Sequence, residues 1–451
     1  PIDMNIATLL DIAAGAFGDR IALGNPKQSL SYEGLSCRAQ SFASTLEGLT
    51  ADHVVFVGVN SPALWIALYG VAIRGLPFVP LNYRLTDEQL HRLLARCAPA
   101  VIVVDDDMRH RIPGGMALKT VSTQALVEAP LLDAKLNPSD DGTAVMLFTS
   151  GTVGDPKAAI LRHDNLTSYV METVELMGAA EDECALVSVP PYHIAGVSAV
   201  LSSTYLGRRV VQIPAFTAEG WVDLAAAENV THAMVVPTML GRILDVIEAR
   251  GTDLPALRHL SYGGGKMPRQ TLERALRLLS RVDFVNAYGL TETSSTVAIL
   301  TPDDHRRAWG SEEPEIRARL SSVGRPIASI ELEIRDPQGL PVAANEIGEI
   351  FVRGAQVSGE YVGRTGNTDG WFATRDSGYR DNDGYLFLDG RLDDVIVRGG
   401  ENISPGEIEV VLDEHPAVEQ AAVVGFPHDE WGEGIGVFIV LKNGTNTSQG
   451  E

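Results

Sequence analysis

The regular alternation of strand-like and helix-like segments is the feature that most constrains this fold. Short apolar runs bounded by glycine, proline or polar residues predict buried strands, and segments with apolar residues at helical spacing separate them. The strand-like runs are residues 78–80, 100–104, 144–148, 185–189, 209–213, 232–236 and 282–286. The helix-like segments are residues 61–74, 219–228, 239–250 and 269–280. A chain that alternates in this way packs helices against mostly parallel sheets, so we predict the α/β fold class.

The pattern changes in the last third of the chain. After residue 320, shorter strand-like runs with period-two alternation lie between glycine-rich turns, which predicts a small antiparallel, barrel-like unit. A polar, turn-forming segment at residues 389–394 marks a domain boundary. We therefore predict a large N-terminal domain of layered α/β sheets over residues 1–390. A small α+β C-terminal domain, which we expect to be incomplete, covers residues 391–451.

Composition narrows the class of protein. The chain of 451 residues has 36 basic and 59 acidic residues and a net charge of −23, which disfavours nucleic acid and anionic membranes as partners. Its three cysteines, Cys37, Cys97 and Cys184, form no CxxC pair, so a disulfide framework and a zinc site are not expected. No apolar stretch reaches the ~20 residues that cross a bilayer, and the N-terminal apolar patch lacks the basic flank of a signal peptide. We expect a cytoplasmic protein without an integral membrane segment.

The segment from Thr149 to Lys157, TSGTVGDPK, follows directly on a predicted strand and carries the strongest chemical signal. Glycines let backbone N–H groups approach phosphate oxygens, hydroxyls donate further hydrogen bonds, and the lysine neutralises charge. The spacing G-x-x-G-x-x-K differs from the G-x-x-x-x-G-K-[ST] of the Walker loop, which disfavours a P-loop kinase or GTPase. The sequence therefore predicts a polyphosphate-binding turn, with an ordinary strand-to-helix turn as the alternative.

This segment resembles the phosphate-loop signature TSGTTGxPKG of the acyl-adenylate-forming superfamily. Four further signatures of that superfamily follow in order: YGxTE at residues 288–292, WxxTGD at 371–376, GYLxxxGRxDD at 384–394 and GGENIxPxEIE at 399–409. The GGEN string and the tryptophan of DEWG, Trp431, resemble the acyl- and aryl-CoA synthetase branch most.

The resemblance implies a ligation in two steps, with ATP, Mg²⁺ and coenzyme A as cofactors. A fatty or aryl carboxylic acid attacks the α-phosphorus of ATP to give acyl-AMP and pyrophosphate, and the thiol of coenzyme A then displaces AMP. Two alternatives stay open: an acyl-AMP ligase that loads a carrier protein, and a nucleotide-binding protein without full ligase activity. The sequence fixes neither the identity of the acid nor the oligomeric state, and a homodimer is compatible with it.

The resemblance also implies roles for individual residues. The β- and γ-phosphates of ATP would be held by Thr149, Ser150, Gly151, Thr152, Gly154 and Lys157. Glu292 would hold Mg²⁺, a hard cation suited to an oxygen ligand. The other nucleotide contacts would come from Gly264, Gly265, Tyr288, Gly289, Thr291, Asp376 and Arg391. Tyr288 would stack on adenine, unless it is a core aromatic. Asp376 and Arg391 would contact the ribose or a phosphate, unless they belong to a surface ion pair.

The remaining candidates concern the acid and the thiol. His193, in the segment PPYHIAG, would orient the reacting carboxylate, or is a satisfied core histidine. That segment has no aspartate for a substrate ammonium, which argues for an apolar acyl or aryl group. Asp393 would be the hinge about which the small domain rotates between half-reactions. Gly399, Gly400 and Trp431 would lie beside coenzyme A, although Trp431 could instead anchor the small domain.

The chain departs from the family pattern at three places. Arg375 stands where the family usually has the glycine of TGD, and Ala158 where it has a glycine after the lysine. The family's adenylation lysine lies in a Gly-Lys motif well beyond the tryptophan of the small domain, but Lys442, the only lysine after Trp431, is in no such motif. We therefore expect a truncated chain in which adenylation is impaired and thioester formation from preformed acyl-AMP survives.

Overall fold

The described part of the chain folds into four β-sheets with helices packed on them, as seen in a computed structural model. The structure describes residues 4–25, 28–130, 136–138, 142–149, 156–365, 367–398, 401–413, 415–428, 431–442 and 445. The strands are β1 (Ile21–Asn25), β2 (Gln28–Ser31), β3 (His53–Val57), β4 (Phe78–Pro80), β5 (Ala100–Val104), β6 (Ala117–Ser122), β7 (Thr143–Thr149), β8 (Lys157–Arg162), β9 (Cys184–Val187), β10 (Arg209–Gln212), β11 (His232–Val235), β12 (His259–Gly263), β13 (Asp283–Leu290), β14 (Ser295–Leu300), β15 (Arg325–Pro326), β16 (Glu331–Arg335), β17 (Gly348–Arg353), β18 (Glu360–Tyr361), β19 (Arg364–Thr365), β20 (Asn367–Thr368), β21 (Trp371–Arg380), β22 (Leu386–Arg391), β23 (Ile396–Arg398), β24 (Glu401–Ile403), β25 (Val418–His428) and β26 (Gly432–Leu441). The α-helices are α1 (Ala7–Phe17), α2 (Tyr32–Thr45), α3 (Pro62–Ile73), α4 (Asp87–Cys97), α5 (Thr123–Glu128), α6 (His163–Thr173), α7 (Ile194–Leu206), α8 (Ala218–Ala227), α9 (Pro237–Arg250), α10 (Arg269–Leu278), α11 (Pro302–Gly310), α12 (Pro314–Ala318) and α13 (Pro405–Asp413).

Two large sheets are parallel in their centres. The nine-stranded sheet has the order β15-β14-β13-β12-β11-β9-β10-β1-β2, and its strands from β13 to β1 run parallel. The eight-stranded sheet has the order β19-β18-β8-β7-β4-β3-β5-β6, and its strands from β7 to β6 run parallel. The predicted α/β class with mostly parallel sheets is confirmed.

Two smaller sheets are antiparallel. One joins β16, β17, β20, β21 and β22, and the other has the order β24-β23-β26-β25, with α13 packed against β25. They agree with the small antiparallel unit and the α+β C-terminal part of the predicted fold class. In these and all other described residues, no helix combines the length and the apolarity needed to cross a bilayer.

The sequences of individual helices explain where they lie. Helix α3, PALWIALYGVAI, is apolar on every side and is buried from Ala63 to Ile73, as expected for a helix enclosed by other elements. Helix α4 is amphipathic and begins at a capping box in which Thr86 and Gln89 satisfy each other's backbone N–H groups. The local sequence thus separates enclosed helices from those at the surface.

A continuous apolar core joins the two large sheets. It contains side chains of α1, α2, α3 and α7 together with residues from both sheets, such as Phe56 and Phe78 of one and Leu23 and Val210 of the other. Because protein interiors pack as densely as organic crystals, this core fixes the ends of the strands relative to each other.

Two predicted boundaries differ from the structure near the candidate site. Thr149 is the last residue of β7 and Lys157 the first of the antiparallel strand β8, and among the residues described after β7 the first helix begins at His163. The predicted strand at residues 282–286 is longer, because β13 continues to Leu290 and includes the first part of the YGxTE signature. Both differences place candidate residues on paired strands, where their backbone positions are fixed by hydrogen bonds.

The close pairing of β12 with β13 predicts a stability difference between two neighbouring glycines. Gly263 pairs with Ala287, and a methyl group on Gly263 would penetrate the Ala287 carbonyl oxygen. On Gly265 the nearest atoms would be those of Pro237, at 3.9 Å. We expect Gly263→Ala to lower the free energy of unfolding by about 1–3 kcal/mol, and Gly265→Ala to change it little. Urea denaturation of both variants measures this, and equal midpoints would contradict the register described here.

Candidate active site

A cavity of about 1090 Å³ opens beyond the ends of β12 and β13 and extends to β22 and the C-terminal sheet. Its walls come from the loop after β12, the end of β13, and residues of β21, β22, α13 and β25. The predicted site residues that line it are Gly264, Gly265, Tyr288, Gly289, Asp376, Arg391 and Asp393. Ligands of open α/β sheets bind outside the carboxyl ends of parallel strands, and this cavity has that position.

The β7–β8 hairpin carries the two described ends of the predicted phosphate turn. Thr149 and Lys157 are partners in the register, and the Thr149 hydroxyl donates to the Lys157 carbonyl oxygen at 3.4 Å. The Lys157 side chain is exposed, and its Nζ lies 5.8 Å from the centroid of the Tyr361 ring. The predicted residues Ser150, Gly151, Thr152 and Gly154 lie outside the described residues.

Glu292 lies in a tight turn directly after β13. The 3₁₀ turn Thr291–Thr293 is closed by the Thr293 hydroxyl, which accepts from the Leu290 N–H at 2.9 Å and lies 2.7 Å from the Ser295 carbonyl oxygen. The chain then reverses through Ser294, whose φ of 55° is left-handed. Gly289 is required just before the turn, since a side chain there would penetrate the Ser295 carbonyl. The turn therefore presents Glu292 from a rigid backbone.

Residues of a distant segment bind Glu292 at three points. The N–H groups of Ser358 and Gly359 donate to the Glu292 carbonyl oxygen at 2.9 and 3.3 Å, and the Tyr361 hydroxyl donates to its Oε1 at 2.6 Å. Glu292 is 8% exposed. Within the described residues, only Tyr361 forms a hydrogen bond to this carboxylate. Tyr361 thereby contacts both Lys157 and Glu292, two residues predicted from the sequence to bind the same substrate.

Tyr361 was not predicted from the sequence as a site residue. Its strand β18 has only two residues, too few for a periodic pattern, and it pairs with β8 far earlier in the chain, where Tyr361 lies opposite Ala159. The local signal that could have found it is the alternation of a strand. Glu360 and Tyr361 are consecutive strand residues, so their side chains point to opposite faces of the sheet. Glu360 forms an ion pair with Arg162 at 2.9 Å on the outer face, which leaves Tyr361 on the face toward Glu292.

The single carboxylate of Glu292 fits a magnesium site that shares its ligands with phosphates. Mg²⁺ prefers oxygen ligands and is usually held by one or two carboxylates, water and substrate phosphate oxygens. Glu292 is buried and acidic, and its Oε2 accepts no hydrogen bond from the residues described. No group of three or more histidine, cysteine, aspartate or glutamate side chains that could enclose a metal is found among these same residues. The donor set therefore suits an ion brought in with a nucleotide.

Asp376 is a buried carboxylate of the cavity wall with two polar side-chain partners. It is 6% exposed, its Oδ2 accepts from the Tyr288 hydroxyl at 2.6 Å, and its Oδ1 lies 3.2 Å from Nε of Arg391, its register partner on β22. Burial raises the pKa of Asp376, and the negative charge of Glu292 adds to the rise, while Tyr288 and Arg391 oppose it. A buried carboxylate beside a cavity is suited to accept hydrogen bonds from the hydroxyls of a sugar.

Tyr288 is both a core residue and a residue of the cavity wall. Its side chain packs with Val297 and Ile350 in the core between the large sheet and the small antiparallel sheet. Burial raises the pKa of the Tyr288 hydroxyl, and the Asp376 carboxylate beside it adds to the rise, so this hydroxyl stays protonated and donates. The predicted stacking of Tyr288 on adenine stays a prediction.

The predicted hinge residue Asp393 forms an ion pair with Arg375. Nη2 of Arg375 lies 2.8 Å from Oδ1 of Asp393, and its Nη1 lies 3.4 Å from Oε1 of Glu349. Arg375 has a φ of 64°, in the region that favours the glycine usual at this position in the family. Arginine in place of glycine at position 375 thus strains the backbone, and it supplies an ion pair with Asp393 at the start of the C-terminal segment.

Six predicted site residues in the described part of the chain do not line the 1090 Å³ cavity: Thr149, Lys157, His193, Thr291, Glu292 and Trp431. His193 immediately precedes α7, and its ring lies 4.7 Å from that of Tyr192, which contacts Tyr83 at 5.7 Å. Trp431 is 44% exposed, with the Arg398 guanidinium 5.5 Å from its ring centroid. Gly399 and Gly400 lie outside the described residues.

A second cavity, of about 220 Å³, adjoins the segment that contains His193. Pro190, Tyr83 and Phe216 give it apolar walls, and Arg84 and Arg242 bring two guanidinium groups to it. Composition and patterning gave no indication of this cavity, because its walls come from five separate parts of the chain.

Comparison with known proteins identifies the family. The sequence model described as AMP-binding enzyme matches residues 10–362, and that of the AMP-binding enzyme C-terminal domain matches residues 407–450. The chain belongs to the AMP-binding enzyme family, and the predicted resemblance to the acyl-adenylate-forming superfamily, in its acyl- and aryl-CoA synthetase branch, is confirmed.

Individual relatives are similar over nearly the whole chain. An indoleacetate–CoA ligase from Aromatoleum aromaticum is 31% identical over 99% of this chain and 90% of its own length. The fatty acid–[acyl-carrier-protein] ligase ScoC from Streptomyces coeruleorubidus is 32% identical over 93% of this chain and 83% of its own. The structure of O-succinylbenzoate coenzyme A synthetase (MenE) from Bacillus subtilis, in complex with ATP and magnesium ion, has a TM-score of 0.80 and 27% identity, covering 96% of this chain and 89% of that one.

The conformation of Arg375 predicts that two substitutions there differ in stability. Arg375→Ala and Arg375→Gly both remove the exposed ion pair with Asp393, which contributes little by itself. Only glycine also relieves the left-handed backbone, so we expect Arg375→Gly to exceed Arg375→Ala in unfolding free energy by about 1 kcal/mol. Chemical denaturation of the two proteins measures the difference, and an alanine variant as stable as the glycine variant would show that Arg375 is unstrained.

Proposed function

We propose that this protein is an ATP-dependent acid–thiol ligase that converts a fatty or aryl carboxylic acid to its coenzyme A thioester. The acid first reacts with ATP to give acyl-AMP and pyrophosphate, and the thiol of coenzyme A then displaces AMP. Membership of the AMP-binding enzyme family and the similarity to an indoleacetate–CoA ligase support this reaction class. The observation that carries the proposal is that Lys157 and Glu292 both contact Tyr361, while the charge of Glu292 also acts on the cavity residue Asp376.

The nucleotide is proposed to lie along β13. Asp376 and Arg391 contact the ribose, with Arg391 free to shift from carboxylate to phosphate because it is half exposed. The bare backbone of Gly264 and Gly265 borders the adenine, where a side chain on Gly264 would be strained by its φ of 75°. The Tyr288 ring forms the adjoining wall, with Gly289 and Thr291 leading to the phosphates.

The polyphosphate is proposed to lie between Lys157 and Glu292. Lys157 supplies a positive charge and three N–H donors to phosphate oxygens, together with the hydroxyl of Thr149 and the turn residues Ser150, Gly151, Thr152 and Gly154. Glu292 would hold Mg²⁺, which when bound neutralises phosphate charge as a Lewis acid. Since both reactants are anions, this neutralisation lowers the cost of bringing a carboxylate to the α-phosphorus.

The acid is proposed to bind near the segment that contains His193, which orients the reacting carboxylate. The 220 Å³ cavity beside Pro190 has apolar walls from Tyr83, Phe216 and Met239, suited to an acyl or aryl group of modest size. The segment carries no carboxylate that would pair with a substrate ammonium, so amino acids are disfavoured.

The second half-reaction is proposed to use the small domain, residues 391–451, which rotates about Asp393 against the large domain, residues 1–390. Gly399, Gly400 and Trp431 would then lie beside coenzyme A. A single chain carries every residue named, so the proposal does not require a homodimer. The odd number and wide spacing of the three cysteines, with no CxxC pair among them, support a cytoplasmic location.

A carrier protein is the second candidate acceptor. The fatty acid–[acyl-carrier-protein] ligase ScoC is as similar to this chain as the coenzyme A ligase relative is, so the two acceptors have to be compared directly. Full-length protein, a panel of fatty and aryl acids and either coenzyme A or phosphopantetheinylated carrier protein would be assayed by mass spectrometry. We expect pyrophosphate release and a coenzyme A thioester. Thioester on the carrier protein alone would establish the second candidate, and no pyrophosphate with any acid would refute both.

Transfer from synthetic acyl-AMP isolates the second step. Formation of the thioester from acyl-AMP and coenzyme A requires neither ATP nor the adenylation half-reaction. We expect this transfer to persist even where adenylation is slow. Its absence with every acyl-AMP of the panel would contradict the proposed acceptor.

The assignment of Glu292 predicts a large loss of adenylation on a conservative substitution. Glu292→Gln keeps the size of the side chain but removes its charge, and the loss of a metal contact of several kcal/mol corresponds to a decrease on the order of 10²-fold or more in pyrophosphate formation. Glu331→Gln is the matched control, because Glu331 pairs with Arg353 on an exposed strand surface. Unchanged turnover of Glu292→Gln would refute the magnesium assignment.

A further inference from the structure

We propose that Tyr361 is a positioning residue that orients the Glu292 carboxylate toward the metal and couples it to Lys157. The inference rests on the proposed function, in which Glu292 holds Mg²⁺ and Lys157 contacts the same polyphosphate. It goes beyond that function because it assigns a role to a residue outside all five sequence signatures.

The contacts of residues 358–361 fix both ends of Glu292. Two backbone N–H groups, from Ser358 and Gly359, hold its carbonyl oxygen, and the Tyr361 hydroxyl holds Oε1 of its carboxylate at 2.6 Å. A side chain held at its backbone and at its terminal oxygen keeps a single orientation. Glu292 therefore meets an incoming cation with a carboxylate that is already oriented, which lowers the entropic cost of binding.

The strand that carries Tyr361 is itself firmly anchored. Tyr361 pairs with Ala159 of β8, and the Ser358 hydroxyl donates to the Ile160 carbonyl oxygen. On the opposite face Glu360 accepts from Nε and Nη2 of Arg162 at 2.9–3.2 Å. Because neighbouring strand residues face opposite sides, this outer ion pair holds Tyr361 in place on the inner side.

The chemistry of a phenol suits this position better than that of a cation. An arginine or lysine donating to Glu292 would neutralise the charge that attracts a divalent cation. Tyrosine donates one hydrogen bond and carries no charge, so Glu292 keeps its negative charge and the acceptor positions of Oε2. The same ring lies 5.8 Å from Nζ of Lys157, within the range of a cation–π contact, so one side chain contacts both the lysine and the carboxylate.

Manganese binding tests this role separately from turnover. Mn²⁺ replaces Mg²⁺ as an oxygen-ligated ion and can be titrated by electron paramagnetic resonance in the presence of a non-hydrolysable ATP analogue. We expect Tyr361→Phe to raise the Kd of Mn²⁺ about 10-fold, as is usual when a group that orients a metal ligand is lost, and to leave the Kd of the metal-free analogue unchanged. The phenylalanine ring retains the contact with Lys157.

Tyr385→Phe is the matched control. The Tyr385 hydroxyl donates to Oδ1 of the buried Asp304 at 2.6 Å, the same distance as between Tyr361 and Glu292, and Asp304 is not part of the proposed site. We expect this variant to bind Mn²⁺ like the wild type. A tenfold loss in both variants would show a general effect of removing a buried phenol and would overturn the inference.

Two results separate this inference from the proposed function. If wild type binds Mn²⁺ with the analogue, Glu292→Gln does not, and Tyr361→Phe equals wild type, the role of Tyr361 is refuted while the function stands. If wild type binds no Mn²⁺ with the analogue, the proposed function fails and the inference with it. As a second measurement that needs no truncated side chain, 3-fluorotyrosine at position 361 should change its ¹⁹F shift when Mg²⁺ is added to the analogue complex, and an unchanged shift would contradict the inference.

Discussion

The arrangement of the candidate site depends on the antiparallel pairing of β18 with β8. This pairing extends the eight-stranded sheet until it contacts the turn that follows β13 of the nine-stranded sheet. Lys157 at the start of β8 and Glu292 after β13 belong to separate sheets, and the pairing brings a side chain of β18 to both of them. This side chain is Tyr361. Two groups far apart in the chain are thus positioned by backbone hydrogen bonds, which hold geometry more precisely than side-chain contacts between flexible loops.

The electrostatics of the cavity follow from a shortage of positive charge. In a chain of net charge −23, Arg391 is paired with Asp376, and Arg375 with Asp393 and Glu349. A polyphosphate can therefore gain these cations only by competing with carboxylates that already hold them. Lys157 differs, because its described neighbour is the neutral Tyr361 ring. An ATP-binding site with this composition relies on Lys157, on backbone N–H groups and on a metal carried by the nucleotide, and the buried carboxylate of Glu292 is suited to be a ligand of that metal.

Much of this could be predicted from the sequence, and the failures have physical causes. The alternation of buried strands and amphipathic helices is a local property, so the α/β class followed from it, and ordered signatures located Glu292 and Asp376. The end of β13 was misplaced because its glycine resembles a turn signal, although there it permits close approach of the Ser295 carbonyl. Tyr361 was missed because its importance arises from pairing with a distant strand. The small cavity near Pro190 was missed for the same reason.

The segment that leads into the C-terminal sheet shows how arginine at position 375, where the family usually has glycine, changes the ion pairs beside the nucleotide site. Two consecutive residues of β21, Arg375 and Asp376, hold two residues of the segment that leads into that sheet, Asp393 and Arg391 respectively. A ribose bound at Asp376 would compete for the second ion pair and leave the first intact. With glycine at position 375, only the ion pair between Asp376 and Arg391, at the nucleotide site, would remain. Arg375 adds an ion pair with Asp393 that a bound nucleotide does not release. In the proposed two-step reaction, the rotation about Asp393 therefore has to break an ion pair that takes no part in catalysis. The free energy of this ion pair is small because both groups are half exposed. The ion pair is therefore suited to favour one of the two orientations of the small domain without preventing the other.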